Sequence, residues 1–279
     1  MSIVVPIKTQ GKKTKITEYI NEFYQAEKIW IEPFLGSGQV LFSVLPNKAI
    51  VSDTNVHIIN FYNNIKYKRI TPQSVRDFLE FHGNNLSVRG KEYYYEMRDI
   101  FNENHDSLYF LFLNRSCFNG VMRFNSKGGF NVPFCNKDNR FDKALITRIV
   151  NQVKEISSIL EEKGENWIFV VSDWKDIVNQ YENDSNAFFY FDPPYVNRHA
   201  TYFEDWTEEE NDIFFEKIKK MNASFLLSNW VENTYRKNEK IDTFNNKEEF
   251  QIQLIDHFYH VGGNLENRNK MVECLILKR

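Results

Sequence analysis

The sequence has few of the features that mark secreted, membrane-bound or metal-stabilised proteins. Only three of its 279 residues are cysteine, and their spacing matches no common metal-ligand pattern, so neither a disulfide framework nor a zinc site is predicted. No uninterrupted apolar stretch approaches the roughly 20 residues that span a membrane. The first apolar residues precede the first basic ones, which is the reverse of a secretory signal. We therefore expect a cytoplasmic protein with reduced thiols and with no membrane or metal partner.

The composition is that of an ordinary globular chain. Hydrophobic residues make up 42% of it and charged residues 26%, which excludes a disordered or fibrous protein. Aromatic residues reach 16%, with 25 Phe and 14 Tyr, so rings remain available for stacking after a core is built. A chain of this length forms one large domain, or one core with a smaller inserted module.

Charge is distributed unevenly along the chain. The formal net charge is only −3, yet the segment from Arg115 to Arg148 holds seven basic residues and two acidic ones. A second basic cluster lies near the amino terminus, at Lys8, Lys12, Lys13 and Lys15. Such a distribution lets one face meet phosphates although the whole chain is slightly negative. A solvated charged loop explains the same counts equally well.

Apolar runs alternate with segments of helical spacing over most of the chain. Runs typical of buried strands occur at 28–34, 49–53, 167–173, 187–192 and 224–229. Two more, at 250–261 and 271–279, are expected to close the sheet as an antiparallel hairpin. Residues 66–145 break the rhythm with polar helical pieces and a stretch rich in Gly and Asn, in which SKGG (126–129) is typical of a hairpin turn. The alternation predicts a doubly wound α/β sheet with one inserted region.

Residues suited to ligand binding lie where these strands end. The first strand runs into EPFLGSG, whose glycines let the backbone approach a ligand closely, although the loop is neither GxGxxG nor a P-loop. Asp53 ends the second strand, where it is placed to accept hydrogen bonds from ribose hydroxyls, and Ser172 and Asp173 end the third. A later strand ends at Ser228 and Asn229, which either close one side of a pocket or only terminate the strand. Because ligands of such sheets bind at the carboxyl ends of the strands, an adenosine-containing ligand is predicted there.

The most specific of these strand ends is the tetrapeptide DPPY. Asp192, Pro193, Pro194 and Tyr195 directly follow the apolar strand AFFYF. Two prolines remove two backbone donors and fix φ, which leaves rigid carbonyls beside a carboxylate and an aromatic ring. An amino group on a planar ring suits this arrangement, because Asp192 and the Pro193 carbonyl can accept its two N–H groups while the ring stacks on Tyr195. A simple turn is the alternative.

With these motifs in place, the chain resembles the Dam-like group of DNA adenine N6-methyltransferases, the type II modification methylases in which the glycine loop comes first and DPPY last. The resemblance runs nearly from end to end, through IKTQGKK, IEPFLGSG, FLNRSCFNGVMRFNSKGGFNVPF, VVSD, YFDPPY and ENRNKMVECL. It implies a Rossmann-like sheet that uses S-adenosyl-L-methionine, built from residues 1–65 and 146–279. Residues 66–145 are then an inserted target-recognition region with a DNA-contacting hairpin.

The resemblance also implies roles for single residues. Asp53 matches the ribose-binding acid, Lys13 a lysine near the methionine carboxylate, and Asp192 the catalytic acid. The implied catalytic residues are Asp192, Pro193, Pro194 and Tyr195. The implied cofactor-binding residues are Gln10, Lys13, Glu32, Phe34, Gly36, Ser37, Gly38, Asp53, Ser172, Asp173 and Asp192. With the basic flank of the hairpin included, the expected DNA-binding residues are Lys8, Phe118, Asn119, Arg123, Asn125, Pro133, Lys137 and Arg140.

One departure from the family pattern concerns the amino-terminal motif. Dam-like enzymes often begin with Lys-Trp-x-Gly-Gly-Lys, whereas this chain has KTQGKK at residues 8–13. The missing tryptophan removes a stacking partner for the cofactor and leaves a GATC target unassigned. KTQGKK together with the ENRNKM tail looks more like the CATG-modifying branch. Arg123 is expected to read a guanine, or alternatively only to brace the hairpin.

The implied reaction is an in-line methyl transfer from the sulfonium of S-adenosyl-L-methionine to N6 of an adenine flipped out of double-stranded DNA. The implied setting is a restriction–modification system with a cognate restriction endonuclease, or an orphan or phage equivalent, with a monomer acting on DNA. Three rivals share parts of the pattern. An N4-cytosine methyltransferase more often has Ser in place of Asp192, a release-factor glutamine methyltransferase usually has Asn there, and a DNA-binding regulator would have lost catalysis.

Overall fold

A computed structural model describes residues 3–9, 13, 16–196, 206–233, 238–245, 248–258 and 270–279. Over these residues, seven strands form one sheet: β1 (Ile29–Glu32), β2 (Ala49–Asp53), β3 (Trp167–Val171), β4 (Ala187–Phe191), β5 (Ser224–Asn233), β6 (Phe250–Phe258) and β7 (Lys270–Lys278). Their order across the sheet is β3-β2-β1-β4-β5-β7-β6.

Helices lie between most of the strands of the described chain, and the helices predicted after β1, after β2 and at 207–221 are among them. They are α1 (Thr17–Phe23), α2 (Gln39–Val44), α3 (Val56–Lys66), α4 (Pro72–Asn104), α5 (Ser107–Ser116), α6 (Lys143–Lys163), α7 (Trp174–Tyr181), α8 (Glu208–Lys220) and α9 (Glu239–Asp242). The Thr207 side chain accepts the Glu210 N–H and so begins α8. Thr71 and Ser74 form a reciprocal capping box at the start of α4. Inside α4, Gly90 has φ 55° and ψ −133°, which joins two helical segments at a kink.

The pairing of the strands creates a crevice in the middle of the sheet. Strands β1 to β5 pair in parallel, and β7 is antiparallel to both β5 and β6, so the predicted strands and the closing hairpin are confirmed. The strand order reverses between β1 and β4, because β2 and β3 extend to one side and β5 to the other. A crevice opens outside the carboxyl ends of the strands at such a switch point. The loops that follow β1 and β4 therefore meet there.

Two apolar clusters, one on each face of the sheet, hold the strands. On one face, the Trp30 ring stacks on Phe188 and Tyr190, with ring centroids 5.9 and 5.5 Å apart. On the other face, the rings of Phe189 and Phe191 stack with centroids 5.2 Å apart. All five residues of β4 are buried, as expected of a central strand in a sheet that is covered on both faces.

The inserted region, residues 66–145, joins the first of these clusters. Helix α4 packs against α5 and α6, and Leu79 and Phe112 are buried in the same cluster as Trp30. The region therefore shares its core with the sheet. Its separate role in target recognition stays a prediction.

Over the described residues, no helix is long and apolar enough to cross a membrane. The same part of the chain holds no group of three His, Cys, Asp or Glu side chains that could bind a metal ion. Cys117, Cys135 and Cys274 are free thiols.

Candidate active site

The loop after β1 turns sharply at its two glycines. Gly36 and Gly38 have φ of 53° and 75°, a conformation that other residues rarely adopt. A Cβ at Gly38 would lie 3.2 Å from the rings of Phe42 and Tyr62, whereas a Cβ at Gly36 would meet nothing within 4 Å. The Tyr62 hydroxyl donates a hydrogen bond to the Ser37 carbonyl. The loop is thus held in one shape, with open space at Gly36 where a ligand can approach the backbone.

Asp53 ties the end of β2 to this loop. One carboxylate oxygen accepts the Gly36 N–H at 2.8 Å, and the other accepts the Asn55 N–H at 2.8 Å. Burial raises the pKa of Asp53 to about 6, although these two N–H bonds oppose the rise. Each carboxylate oxygen keeps a further lone pair. The geometry is therefore compatible with the predicted contact to a ribose hydroxyl, which stays a prediction.

Glu32 ends β1 as a carboxyl group that is only 1% exposed. The Trp30 Nε1–H donates to its Oε2 at 2.9 Å. Burial raises the pKa of Glu32 to about 8, the Trp30 bond opposes the rise, and the nearby Asp192 and Asp53 carboxylates add to it. At pH 7 the Glu32 carboxyl therefore holds its proton, and a cation entering the crevice would favour its ionised form.

Asp192 and Tyr195 meet the buried Lys13 directly after β4. The Lys13 Nζ lies 3.3 Å from Asp192 Oδ1 and donates to the Tyr195 hydroxyl at 2.8 Å. Burial alone would lower the pKa of Lys13, but Asp192, Tyr195 and Glu273 outweigh it and raise the pKa well above its usual value. Burial also raises the pKa of Asp192 to about 6, against the opposing effect of Lys13. The DPPY segment is thus part of an ion-paired cluster rather than a simple turn.

A second carboxylate reaches Lys13 from β7. The Glu273 Oε1 lies 3.4 Å from Lys13 Nζ, and the Glu273 side chain is 2% exposed. Sequence reasoning missed this residue although it lies within the segment ENRNKMVECL, because the resemblance implied no role for it there and it is 260 positions from Lys13. The signal that could have found it is the single acid inside the apolar run MVECLIL. A carboxylate in a buried strand is costly unless it is paired, so its presence points to a partner.

The residues predicted to contact the cofactor adenine lie at the end of β3 and in the loop after β1. The Ser172 N–H donates to the Asp53 carbonyl at 3.4 Å, which joins the ends of β2 and β3. The Asp173 carboxylate caps α7 by accepting the Lys175 N–H at 2.8 Å. Ser172 and Asp173 therefore have structural contacts, and their contacts with the cofactor stay predictions. Phe34 packs in an aromatic cluster with Trp174, Trp206 and Phe214.

A cavity of about 260 Å³ opens beside Pro194 and Tyr195. Asn229 and Trp230, at the end of the parallel part of β5, line its other side together with Asn238. The Asn229 Oδ1 accepts hydrogen bonds from the Trp230 N–H at 2.8 Å and from Asn238 Nδ2 at 3.3 Å. This strand end closes one side of the space next to DPPY, which is the first of the two alternatives considered for it.

The predicted hairpin follows α5. Phe124 and Phe130 form an antiparallel bridge, and the Asn125 N–H donates to the Gly129 carbonyl at 2.8 Å. The Asn125 Oδ1 accepts the N–H groups of Lys127 and Gly129 at 2.9 and 3.0 Å. The SKGG turn is therefore confirmed, and the Asn125 side chain shapes it. Contact between Asn125 and DNA stays a prediction.

Lys8 packs against the start of the same region. Its N–H donates to the Asn114 side chain at 2.8 Å, and its carbonyl accepts from that side chain at 2.9 Å. Gly120 has φ 67°, and a Cβ there would lie 2.8 Å from the Lys8 Cβ, so only glycine allows this approach. Phe118, which is 54% exposed, and the exposed Asn119 lie in the same 3₁₀ turn as Gly120. The structure thus brings three of the predicted DNA-binding residues together.

Arg123 spans the hairpin. Its Nε donates to Asn131 Oδ1 at 2.7 Å, and its Nη2 donates to the Asn131 carbonyl at 3.1 Å. Through these contacts Arg123 braces the hairpin, which is the alternative to the reading of a base. A guanidinium carries five N–H donors in all, so the brace leaves donors for a base.

The remaining predicted DNA-binding residues flank this hairpin. Pro133 is exposed, and its carbonyl accepts the Phe118 N–H at 2.8 Å. Lys137 is exposed, whereas the half-buried Arg140 donates from its Nε to the Arg115 carbonyl at 2.6 Å. Of the two basic residues, Lys137 is thus the one better placed for a phosphate.

Two groups of predicted residues emerge. The predicted cofactor-binding and catalytic residues meet at the carboxyl ends of β1 to β4, and the predicted DNA-binding residues gather around the hairpin. The amino-terminal segment belongs to both, because Lys8 packs near the hairpin and Lys13 contacts Asp192. Gln10 lies outside the described residues.

Comparison with known proteins yields one family. The sequence matches the model of the D12 class of N6 adenine-specific DNA methyltransferases over residues 10–261. The type II methyltransferase M.MjaIII of Methanocaldococcus jannaschii is 34% identical over 255 residues, covering 80% of this chain and 83% of that protein. The DNA adenine methylase of Serratia marcescens is 31% identical over 199 residues, covering 70% and 68%. That of Vibrio cholerae is 29% identical over 290 residues, covering 97% and 94%.

The family match and the geometry concern the same parts of the molecule. The glycine loop, Asp53, the hairpin and DPPY all lie within residues 10–261. The resemblance drawn from the sequence motifs is therefore confirmed. The chain belongs to the D12 class of N6 adenine-specific DNA methyltransferases.

Proposed function

We propose that this enzyme transfers a methyl group from S-adenosyl-L-methionine to N6 of an adenine that has been flipped out of double-stranded DNA. The observation that carries the proposal is the cluster at the end of β4. There Asp192, Pro193 and Tyr195 lie beside the switch point of the sheet, with the Lys13 ammonium 3.3 Å from the Asp192 carboxylate.

Asp192 and Pro193 offer two acceptors to one amino group. The N6 amino group of adenine has two N–H donors, of which the carboxylate takes one and the Pro193 carbonyl the other. Both N–H groups are then fixed, and the nitrogen lone pair points toward the methyl donor. The Tyr195 ring stacks on the adenine, and the bond from Lys13 to its hydroxyl at 2.8 Å holds the ring in place. Positioning and electrostatics supply most of the rate in such a site.

The ends of β1 and β2 suit S-adenosyl-L-methionine. When bound, this cofactor supplies an electrophilic methyl group on a positively charged sulfur. The Glu32 carboxyl group favours a cation, and Asp53 can accept from a ribose diol while it holds the loop. The open space at Gly36 admits a ligand close to the backbone. Phe34 then lines the side on which the adenine ring of the cofactor is expected.

The hairpin group gives the enzyme a surface for duplex DNA. Lys8, Phe118 and Asn119 lie together there, next to the exposed Arg123. Extrusion of a base costs a few kcal/mol of unstacking, which contacts to the surrounding duplex offset. The cavity beside Tyr195 offers space for the extruded base.

Transfer of label to DNA tests the proposal. The enzyme is incubated with S-adenosyl-L-methionine tritiated at the methyl group and with unmethylated duplex DNA, and the DNA is then digested to nucleosides. Label is expected in N6-methyladenine, with a much lower rate of transfer by Asp192→Ala and the full rate by Asp176→Ala, an exposed acid on α7. Label in N4-methylcytosine or in a protein glutamine would contradict it. Equal transfer to single-stranded DNA would contradict the duplex requirement.

We place this reaction in the cytoplasm, carried out by a monomer on DNA. A role as the modification half of a restriction–modification system, with a cognate endonuclease, is supported by the name of the Methanocaldococcus relative, a type II methyltransferase. The names of the Serratia and Vibrio relatives, DNA adenine methylases, fit an orphan or phage equivalent. Sequencing of modified adenines in DNA from cells that express the chain gives the recognition sequence, and the presence or absence of an endonuclease activity with that specificity in the source cells distinguishes the two settings.

A further inference from the structure

Glu273 is a buried carboxylate that the proposed reaction does not use. Its position in the sheet explains how it reaches the site. In the antiparallel register, Glu273 pairs with Trp230 of β5, and β5 lies beside β4, which Asp192 directly follows. Glu273 therefore lies two strands away from β4 at the same edge of the sheet. Its side chain is 2% exposed, so a burial cost must be offset by a specific partner.

That partner is the Lys13 ammonium, which three acceptors surround. Lys13 Nζ lies 2.8 Å from the Tyr195 hydroxyl, 3.3 Å from Asp192 Oδ1 and 3.4 Å from Glu273 Oε1. An ammonium group has three N–H donors, so each of them has an acceptor. Two carboxylates share one cation, which leaves this group of charges net negative. The Lys13 charge is therefore divided between two carboxylates and does not fully neutralise Asp192.

Several other titratable groups face this cluster. Glu32 approaches from β1 and Tyr190 from β4, in addition to Tyr195 in the loop after β4, while Cys274 of β7 lies on the opposite face of the sheet but is close enough to feel the charges of Lys13 and Glu273. The Tyr190 hydroxyl is buried and close enough to Asp192 and Lys13 to feel both charges. Burial raises the pKa of Tyr190 and of Cys274, so both groups are neutral at pH 7. The charges that can act on Asp192 near pH 7 are therefore those of Lys13 and Glu273, together with Glu32 where it ionises.

We propose that Glu273 is a positioning residue for methyl transfer, which shares the Lys13 ammonium with Asp192 and so keeps the Asp192 carboxylate in place and available to the adenine amino group. The proposal rests on the proposed function of Asp192. Glu273 acts through Lys13 and not on the adenine itself. Without it, Lys13 would pair with Asp192 alone and compete with the N6–H for the carboxylate.

The two neighbours of Asp192 act on its proton affinity in opposite directions. Lys13 lowers the pKa of Asp192, and Glu273 raises it. Removal of the Glu273 charge should therefore lower this pKa, whereas removal of Lys13 should raise it. Because the ionised carboxylate is the active form, the acid limb of the kcat profile should move to lower pH in Glu273→Gln. In Lys13→Met it should move to higher pH.

The kinetic test compares wild type, Glu273→Gln and Glu273→Asp between about pH 5 and about pH 8, on both sides of the carboxyl titration. We expect kcat of Glu273→Gln to fall by up to about 100-fold, the cost of a misplaced reacting group, with the DNA KM nearly unchanged. Glu273→Asp keeps the charge and should keep the acid limb of the wild type. Glu182→Gln is the matched control, because it removes a carboxylate that pairs with Lys217 at 2.7 Å away from the site.

A second measurement does not depend on activity. The carboxyl carbon of Asp192 in the cofactor-free protein is titrated by ¹³C NMR, with Asp192→Asn used to assign the signal. Its apparent pKa should fall in Glu273→Gln and rise in Lys13→Met. Titrations and acid limbs identical to those of the wild type would overturn the proposal.

The design also separates a folding defect and a wrong proposed function from a wrong role for Glu273. If melting shows that Glu273→Gln does not fold, Lys13→Met is compared with the double variant Lys13→Met/Glu273→Gln, which has lost both buried charges. A lower Asp192 pKa in the double variant supports the proposal, and equal pKa values overturn it. A wild-type enzyme that methylates no adenine would contradict the proposed function, while the NMR titration would still decide whether Glu273 acts on Asp192.

Discussion

At the scale of single residues, the site is built from carboxyl groups that the fold keeps largely out of water. Burial raises the pKa of Glu32, Asp53 and Asp192, to about 8, 6 and 6. Each of these groups would gain by meeting a cation or a hydrogen-bond donor, and the protein supplies such partners only in part. A positively charged cofactor and an amino group are the ligands that complete this set.

The first prediction concerns the catalytic acid. Asp192→Ala should leave cofactor affinity nearly intact while the rate of methyl transfer falls by about 10²–10³-fold or more, because the carboxylate acts on the target amine. Lys13 keeps Tyr195 and Glu273 as partners, so the variant is expected to fold. Calorimetric titration with S-adenosyl-L-methionine and single-turnover transfer on DNA measure the two effects. An equal loss of cofactor affinity would mean that Asp192 is structural.

The second prediction concerns the ribose contact. Asp53→Ala should weaken cofactor binding by about 1–3 kcal/mol, the cost of an unmet buried hydrogen bond, with little direct effect on DNA affinity. The alanine also frees the Gly36 and Asn55 N–H groups, which loosens the loop. Asp53→Asn keeps an oxygen acceptor for one of these bonds and separates the two contributions. Unchanged cofactor affinity in folded Asp53→Ala protein would refute the assignment.

The residues of this site were predictable to different degrees. Asp53 and Asp192 directly follow apolar strands, so the sequence alone places them at the ligand-binding edge. Glu273 follows no such rule, because its contact with Lys13 depends on β7 being inserted beside β5 in the sheet. The contact between the Lys13 ammonium and Asp192 also depends on the tertiary fold, because nothing in the local sequence indicates that the amino-terminal segment packs over the end of β4.

At the scale of structural elements, the hairpin between α5 and α6 is the element proposed to contact DNA. Arg123 and Asn131 brace it, whereas Lys137 is exposed beyond it. The glycines of SKGG predicted the turn. The contact between Arg123 and Asn131 could not be predicted, because it joins two short segments and no local sequence pattern indicates it. The kink at Gly90 could not be predicted either, because an isolated glycine within a helical pattern is compatible with both a kinked and a straight helix.

The third prediction concerns base reading by this hairpin. Arg123→Ala should cost roughly 1–3 kcal/mol at the cognate site and relax preference at one base pair, because a guanidinium can bond O6 and N7 of guanine together. Lys137→Ala should weaken binding to all sequences alike and lower the slope of log affinity against log salt by about one. Methylation of duplexes with single-base substitutions, at two salt concentrations, measures both.

Asn131→Ala is the matched control for the brace. It removes the side-chain acceptor of Arg123 at 2.7 Å and leaves the guanidinium in place. If Arg123 only braces the hairpin, the two alanine variants should lose stability and affinity in the same way, with no change in base preference. An unchanged preference profile for Arg123→Ala rules out base reading.

At the scale of the whole molecule, stability depends on pH through the buried carboxyl groups. The folded protein binds a proton at Glu32 up to about pH 8, whereas the unfolded chain loses it near its ordinary pKa of 4.5. The folded state thus holds the extra proton, and stability falls as pH rises through this range. His57 acts in the opposite direction, because burial lowers its pKa from 6.5 to about 4, but its effect ends near pH 6.5.

The fourth prediction follows from this balance. Between about pH 6.5 and about pH 8, the free energy of unfolding of the cofactor-free enzyme should decrease as pH rises. Urea denaturation at several pH values measures it. Glu32→Gln should flatten this dependence, since its side chain cannot ionise. A wild-type stability that is constant or increasing over this range would show that Glu32 is ionised in the folded protein.

The amino-terminal segment limits the distance between the hairpin and the catalytic site. Lys8 packs beside the hairpin and Lys13 touches Asp192, and the two are five residues apart in the chain. An extended chain covers at most about 3.6 Å per residue, so their Cα atoms are no more than about 18 Å apart. Double-stranded DNA rises about 3.4 Å per base pair, so a distance of about 18 Å corresponds to about five base pairs. If Lys8 contacts a base, that base and the modified adenine are therefore expected to lie within one short target sequence.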